Sequence, residues 1–143
     1  MNGTRHIIDL NLTFESSPSK LKDTLKTVIG SLRNHLPDIT EEDLFDLRVV
    51  YGELLANAVI HGNKNDFSKK IDMRISVNED LISTVIRDEG SGFDYRDTLD
   101  RENTALNFAD ENGRGLRIVS SLLDYMAFNE SGNEIEFEKK LSA

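Results

Sequence analysis

The chain of 143 residues contains no cysteine. That absence excludes a disulfide framework, thiolate metal sites and a cysteine nucleophile at once. Histidine is scarce, with only His6, His35 and His61, and their separations give no metal-ligand spacing. Long apolar runs are missing too. Nothing approaches the roughly 20 residues of a membrane-spanning helix, and the opening Met1-Asn2-Gly3-Thr4-Arg5-His6 has no apolar stretch of signal-peptide length. A basic surplus is also absent: 17 Lys and Arg face 26 Asp and Glu, for a net charge of −9. Phosphate neutralisation needs a basic surface, so direct nucleic-acid binding is disfavoured, as is an anionic membrane surface. There are no repeats, linkers or low-complexity segments. A soluble, cytoplasmic protein is expected, with a single domain over 1–143 that can bury a core without staples.

Two periodicities organise what is there. Ile8, Leu10, Leu12 and Phe14 alternate with Asp9, Asn11 and Thr13, which predicts a half-buried strand. Ser16-Ser17-Pro18-Ser19 is helix-start chemistry. Leu21, Leu25, Val28, Ile29 and Leu32 follow at helical spacing up to Pro37. A second helix opens at Thr40, where Thr40 and Asp43 approximate a capping box. It runs through Leu44, Leu47, Val50, Tyr51, Leu54, Leu55, Ala58 and Val59, and Gly62-Asn63 is expected to end it in a left-handed cap. Ile71 to Val77 and Leu81 to Ile86 read as a hairpin across Asn78-Glu79-Asp80. The stretch 94–112 loses its apolar period and reads as a loop. Helical spacing returns from Gly115 to Tyr125, and two strands follow around a turn at Ser131-Gly132-Asn133. The order β-α-α-β-β-loop-α-β-β does not alternate, so it predicts an α+β two-layer sandwich with helices on one face of a mixed sheet. Neither G-x-x-x-x-G-K-[ST] nor a glycine fingerprint after the first strand is present, which sets aside P-loop and Rossmann architectures.

Three short segments carry candidate chemistry. Glu53 and Asn57 stand four residues apart, on one helix face. An amide oxygen suits Mg²⁺, and a carboxylate one turn away could orient or deprotonate an attacking hydroxyl. The same spacing also suits a buried Glu53–Asn57 pair or two solvent-facing residues. Asp88 ends a strand, where its carboxylate could accept a hydrogen bond from an exocyclic amine such as that of adenine. Gly90 and Gly92 leave room for a base to approach backbone. Gly113 and Gly115, before a helix, could present free N–H groups to phosphates, with Arg114 adding charge. Taken alone, the first of these glycine segments is more often a surface turn and the second more often a loop-to-helix junction. His61 is expected to pack at a helix end. Together the three segments are the parts of a nucleotide site, and ATP is the expected ligand.

In this order and at these separations they resemble the GHKL ATPase superfamily, and within it the stand-alone bacterial anti-sigma factor serine kinases of the SpoIIAB and RsbW type. Glu53-Leu54-Leu55-Ala56-Asn57-Ala58-Val59-Ile60-His61-Gly62-Asn63 matches the N box. Val85-Ile86-Arg87-Asp88-Glu89-Gly90-Ser91-Gly92-Phe93 matches the G1 box, and Gly113-Arg114-Gly115-Leu116 the G2 box. The resemblance implies a Bergerat-type fold with ATP and Mg²⁺ bound. It implies Mg²⁺ on Asn57, Glu53 as catalytic base, Asp88 on the adenine amine, Gly90 and Gly92 around the base, and phosphate at Gly113 and Gly115. Residues 94–112 would be the ATP lid. The implied reaction is phosphorylation of a STAS-domain anti-anti-sigma protein on serine or threonine. A sigma factor is the implied second partner, with a homodimer as a possible assembly. A nucleotide-dependent partner-switching module without kinase activity is the alternative. Asn133-Glu134 departs from the Thr-Thr that the family commonly carries before its last strand, and Asn133 retains the capacity to hydrogen-bond near Asp88.

Overall fold

Strict two-residue alternation builds the sheet. The computed structural model describes residues 7–90 and 111–142. Its strands are β1 (Ile7–Glu15), β2 (Lys70–Asn78), β3 (Leu81–Arg87), β4 (Tyr125–Phe128) and β5 (Glu134–Lys140). On β2, Ile71, Met73, Ile75 and Val77 are buried while the residues between them are exposed. The other strands add Ile8, Phe14, Ile82, Ile86, Ile135 and Phe137 to the same covered face. Helices α1 (Pro18–His35), α2 (Glu41–Ala56) and α3 (Glu111–Leu122) supply the second layer. Val28, Leu32, Leu47, Val50, Tyr51, Leu55, Leu116 and Val119 complete the core from that side. The opposite face of the sheet is mostly polar, as the alternation predicts, with Leu81, Val85 and Tyr125 as apolar exceptions.

The sheet order is β1-β2-β3-β5-β4, and every pairing is antiparallel. The expected two-layer α+β sandwich is therefore found, with an antiparallel sheet in place of a mixed one. The connections account for this. The helix pair α1–α2 carries the chain out and back, so β2 starts beside the end of β1, with Glu15 opposite Lys70. Two tight hairpins, β2–β3 and β4–β5, are antiparallel by construction. β5 then lies between β3 and β4, separating the strands that share a direction.

Helix starts follow the capping residues. Ser17 accepts the Lys20 N–H at 3.2 Å, with Pro18 in the first turn, and Thr40 accepts the Asp43 N–H at 3.0 Å. The other half of the anticipated box is not made. The buried Asp43 carboxylate instead accepts from the Ser142 backbone N–H at 2.7 Å and the Ser142 hydroxyl at 3.0 Å. It thereby ties α2 to the strand-end segment 99 residues away. The end of α2 also departs from expectation. Asn57–Gly62 forms a π-helical turn, Asn63 stays right-handed at φ −88°, and Lys64 and Asn65 take the left-handed conformation. Gly113 and Gly115 lie inside the first turns of α3 rather than before it, and that helix stops at Leu122, short of Tyr125. Residues 91–110, most of the anticipated lid, lie outside the described residues, while Glu111 and Asn112 open α3.

Two polar side chains inside the core, Tyr51 and Lys139, are paired. The Tyr51 hydroxyl shares a 2.8 Å hydrogen bond with Thr84, and its ring lies 5.5 Å from that of Phe137. Burial pushes the phenol well above its ordinary range. Lys139 is buried too. Its Nζ donates to the Leu122 carbonyl at 3.0 Å, closing the C-terminus of α3, and lies 3.6 Å from the Asp46 carboxylate on α2. Among the described residues no helix is long and apolar enough to cross a membrane.

Candidate nucleotide site

The site is built where the end of α2 meets the end of β3. Amphipathic packing buries Leu54 and Leu55 and carries Asn57 inward, leaving it 8% exposed. The Asn57 N–H is shared between the Glu53 and Leu54 carbonyls, after which the backbone widens: the Asn63 N–H reaches back five residues to the Ala58 carbonyl at 2.8 Å. Such π-helical insertions gather at functional sites. The wider turn brings Gly62 against the Asp88 carboxylate. A Cβ on Gly62 would collide with both carboxylate oxygens, so only glycine allows this approach.

Asp88 follows the last residue of β3 and is buried, at 6% exposed. Its backbone N–H donates to the Asn133 carbonyl at 2.9 Å, which joins the G1 segment to the β4–β5 turn. Its Oδ1 accepts the Gly90 N–H at 2.8 Å. Burial holds the carboxyl above its ordinary range, opposed by the Gly90 N–H and by the charge of Lys69. Gly90 is as constrained as Gly62, because a Cβ there would run into the Gly62 carbonyl. Gly92 lies outside the described residues.

Between these parts lies a small cleft that opens to solvent. It is walled by Leu54, Ala58, Ile86, Phe128 and Ile135, with Asn57, Asp88, Asn133 and Glu134 as its polar groups and Gly132 at its rim. Apolar walls with a few convergent polar groups are the usual form of a small-molecule site. Asn57 Nδ2 is buried in this wall with no hydrogen-bond partner among the described residues. A buried amide donor left alone costs about 1–3 kcal/mol, so the cleft fits a ligand bearing an acceptor. Among the described residues no group of three or more His, Cys, Asp or Glu could cage a metal. A cation on the Asn57 amide would therefore draw its remaining ligands from phosphate and water, as Mg²⁺ commonly does.

Glu53 is half-buried one turn before Asn57, and Gly115 of α3 packs directly on its carboxylate, where a Cβ would overlap Oε2. The structure thus brings Glu53, Asn57, Asp88, Gly90 and Gly115 together. Gly113 lies two residues before Gly115 in α3, with Arg114 between them. His61 is exposed rather than packed at the helix end. Arg87 lies 3.9 Å from Glu134 in an exposed pair. The Asn133 side chain does not reach Asp88: its Oδ1 accepts from Asn129 Nδ2 at 2.6 Å and from the Ser131 hydroxyl at 3.0 Å, and its main-chain carbonyl receives the Asp88 N–H instead.

This geometry has known counterparts. Residues 17–139 match the family model of the histidine kinase-like ATPase domain. The chain belongs to that family. It is 34% identical over 107 residues to the serine-protein kinase RsbW of Staphylococcus aureus strain MSSA476, covering 70% of this chain and 67% of the relative. It is 33% identical over the same length to the RsbW of strain JH9, with the same coverage. The crystal structure of the RsbU and RsbW domains of Rv1364c from Mycobacterium tuberculosis superimposes with a TM-score of 0.60 at 18% identity. That match covers 95% of this chain and 33% of the longer one, so it bears on the fold alone. The GHKL resemblance and the two-layer fold are thereby established, and the domain is of the ATP-using type.

Three contributors went unassigned in the sequence. Gly62 and Asn63 stood inside the N-box match, but nothing in their spacing said that one would touch Asp88 and the other would bond to Glu89. Phe128 reads as an ordinary strand residue, and only the β4–β5 pairing places it on the cleft wall.

Proposed function

We propose that this chain is an ATP-dependent serine/threonine protein kinase that acts as an anti-sigma factor. Its substrate would be a STAS-domain anti-anti-sigma protein, and its sequestered partner a sigma factor. One observation carries the nucleotide reading: the unpartnered Asn57 Nδ2 and the buried Asp88 carboxylate line one apolar cleft. The names of the RsbW relatives support the kinase reading.

In this reading Asp88 accepts the adenine 6-amino group, Gly90 and Gly92 leave space for the ring, and Gly113, Arg114 and Gly115 receive phosphate at the start of α3. Asn57 would hold Mg²⁺, which when bound would neutralise charge on the phosphate oxygens. Glu53 takes the proton of the acceptor hydroxyl as that oxygen bonds to the γ-phosphorus and ADP leaves. A homodimer in the cytoplasm completes the proposal.

Calorimetry with ATP and Mg²⁺ tests the site first. Micromolar affinity, about −8 kcal/mol, is expected for the wild type and is lost in Asn57→Ala and Asp88→Asn. Glu53→Ala should keep ATP binding and abolish phosphorylation of the cognate STAS protein. Phosphorylation at the wild-type rate by Glu53→Ala would remove Glu53 from the base role. Nucleotide-dependent partner binding without phosphate transfer by the wild type would establish a partner-switching module instead.

A further inference from the structure

The segment bearing Asp88 is held by a side chain to which the proposed chemistry gives no part. Asn63, at the end of the π-turn, is fully buried at 0% exposed. Its Oδ1 accepts the Glu89 N–H at 2.7 Å. Its Nδ2 donates to the Ser16 hydroxyl oxygen at 2.6 Å and to the Lys70 carbonyl at 3.0 Å. Both donor hydrogens and the acceptor of the amide are thus engaged, and Ser16 is itself buried, donating to the Lys69 carbonyl at 2.9 Å. One side chain therefore links the helix end, the β1–α1 junction, the start of β2 and the turn after β3.

The turn is restrained from its other sides as well. Glu89 Oε2 accepts the Lys70 N–H at 2.7 Å, and the Asp88 N–H is taken by the Asn133 carbonyl. Asn63 is distinctive among these restraints. Among the described residues, its side chain is the one that grips the peptide directly following Asp88, and it adjoins Gly62, against which the Asp88 carboxylate rests. Rotating the Asp88–Glu89 peptide would break the 2.7 Å bond and swing the carboxylate away from the cleft. An apolar residue at 63 would leave the Glu89 N–H, partly buried, without its partner.

We propose that Asn63 is a positioning residue for base recognition. By holding the Glu89 N–H it sets the direction in which the Asp88 carboxylate meets an exocyclic amine. This rests on the nucleotide reading given above, with Asp88 as the group that reads adenine.

The test compares ATP with purine riboside triphosphate, which lacks only the 6-amino group, by calorimetry with Mg²⁺ well below the melting temperature. The wild type should prefer ATP by about tenfold or more, as expected for a hydrogen bond to a charged acceptor. Asn63→Ala should bind ATP about tenfold more weakly and the analogue within about twofold of wild type, so that the preference collapses towards one. Loss of folded protein alone cannot change that ratio. Ser16→Ala, which removes one of the two Nδ2 acceptors and leaves the Glu89 contact, should lower the preference by a smaller step, about twofold to threefold. It supplies the reading if Asn63→Ala does not fold. A full tenfold preference in the folded variants would overturn the inference, as would equal weakening of both nucleotides. A wild type that binds neither nucleotide would refute the nucleotide site itself. Equal binding of both by the wild type would remove Asp88 as the base reader, and the positioning role with it.

Discussion

Substituting alanine for glycine at three buried or helical positions should shift stability in opposite directions, and the structure says which way at each. At Gly62 the added methyl would stand 2.9 Å from Asp88 Oδ1 and closer still to Oδ2 and Cγ. Asp88 is buried and tied to the Gly90 N–H, so it yields only by giving up that bond or by pushing the helix end outward. Overpacking of this kind costs about 1–3 kcal/mol, and a lost hydrogen bond to a charged group about 1.5–3 kcal/mol. The two are alternative routes of relief rather than additive terms, so a loss of about 2–3 kcal/mol is expected. For a domain of this size that is a fall in Tm of roughly 8 °C. At Gly30, in α1, nothing lies within 4 Å of the new methyl, and at Gly52, in α2, only Leu25 Cδ2 at 3.9 Å. Gly30→Ala and Gly52→Ala should therefore each stabilise by about 0.5–1 kcal/mol through the unfolded state. Thermal and urea unfolding at pH 7 without nucleotide reads all three, and calorimetry then shows Gly62→Ala losing at least tenfold in ATP affinity. A Gly62→Ala protein that melts with the wild type and binds ATP normally would show that the π-turn does not seat Asp88 as described.

Asp88→Asn should stabilise the nucleotide-free protein at neutral pH while weakening ATP binding. Because burial raises the folded-state carboxyl above its unfolded value, stability falls as pH rises from the ordinary aspartate range, about 3.9, through the folded value, and it stays lost above it. The gain from Asn should thus be present at pH 7 and absent at pH 3.5 in urea melts; an equal gain at both would sink the argument. Lys64→Gly relieves a left-handed backbone at φ 54° and should add about 1 kcal/mol, read as a higher urea midpoint. Asp43→Ala removes both acceptors of Ser142 and should cost about 2 kcal/mol. Hydrogen exchange should show faster exchange at Ser142 and Leu141, and unchanged protection there would refute the tether.

Periodicity and capping chemistry, both local properties, were readable before any coordinates. The alternation of Ile71, Met73, Ile75 and Val77 specified a half-buried strand, and Pro18 and Thr40 marked helix starts, because each depends on neighbours within a few residues. The glycine and acid segments around Asp88 and Gly115, with Glu53 and Asn57 on one helix face, were also legible as the parts of a candidate nucleotide site, since their residue types limit what backbone and ligand can do there. Other features depended on partners distant in sequence. Asp43 reads as a capping acid, yet it bonds to Ser142, 99 residues away. Asn133 reads as a hydrogen-bonding substitute beside Asp88, but its side chain is spent on Asn129 and Ser131. Gly62 and Asn63 read as a helix stop; only the packing of the α2 end against the end of β3 turns one into the seat of a carboxylate and the other into the clamp on its turn. Sequence alone determined which elements form and which residue types face inward, since those follow from steric and hydrophobic preferences along the chain. The tertiary structure decided which buried polar group meets which and left the Asn57 Nδ2 without a protein partner among the described residues, because a buried donor or acceptor can pair only with what the fold brings within 3 Å or so.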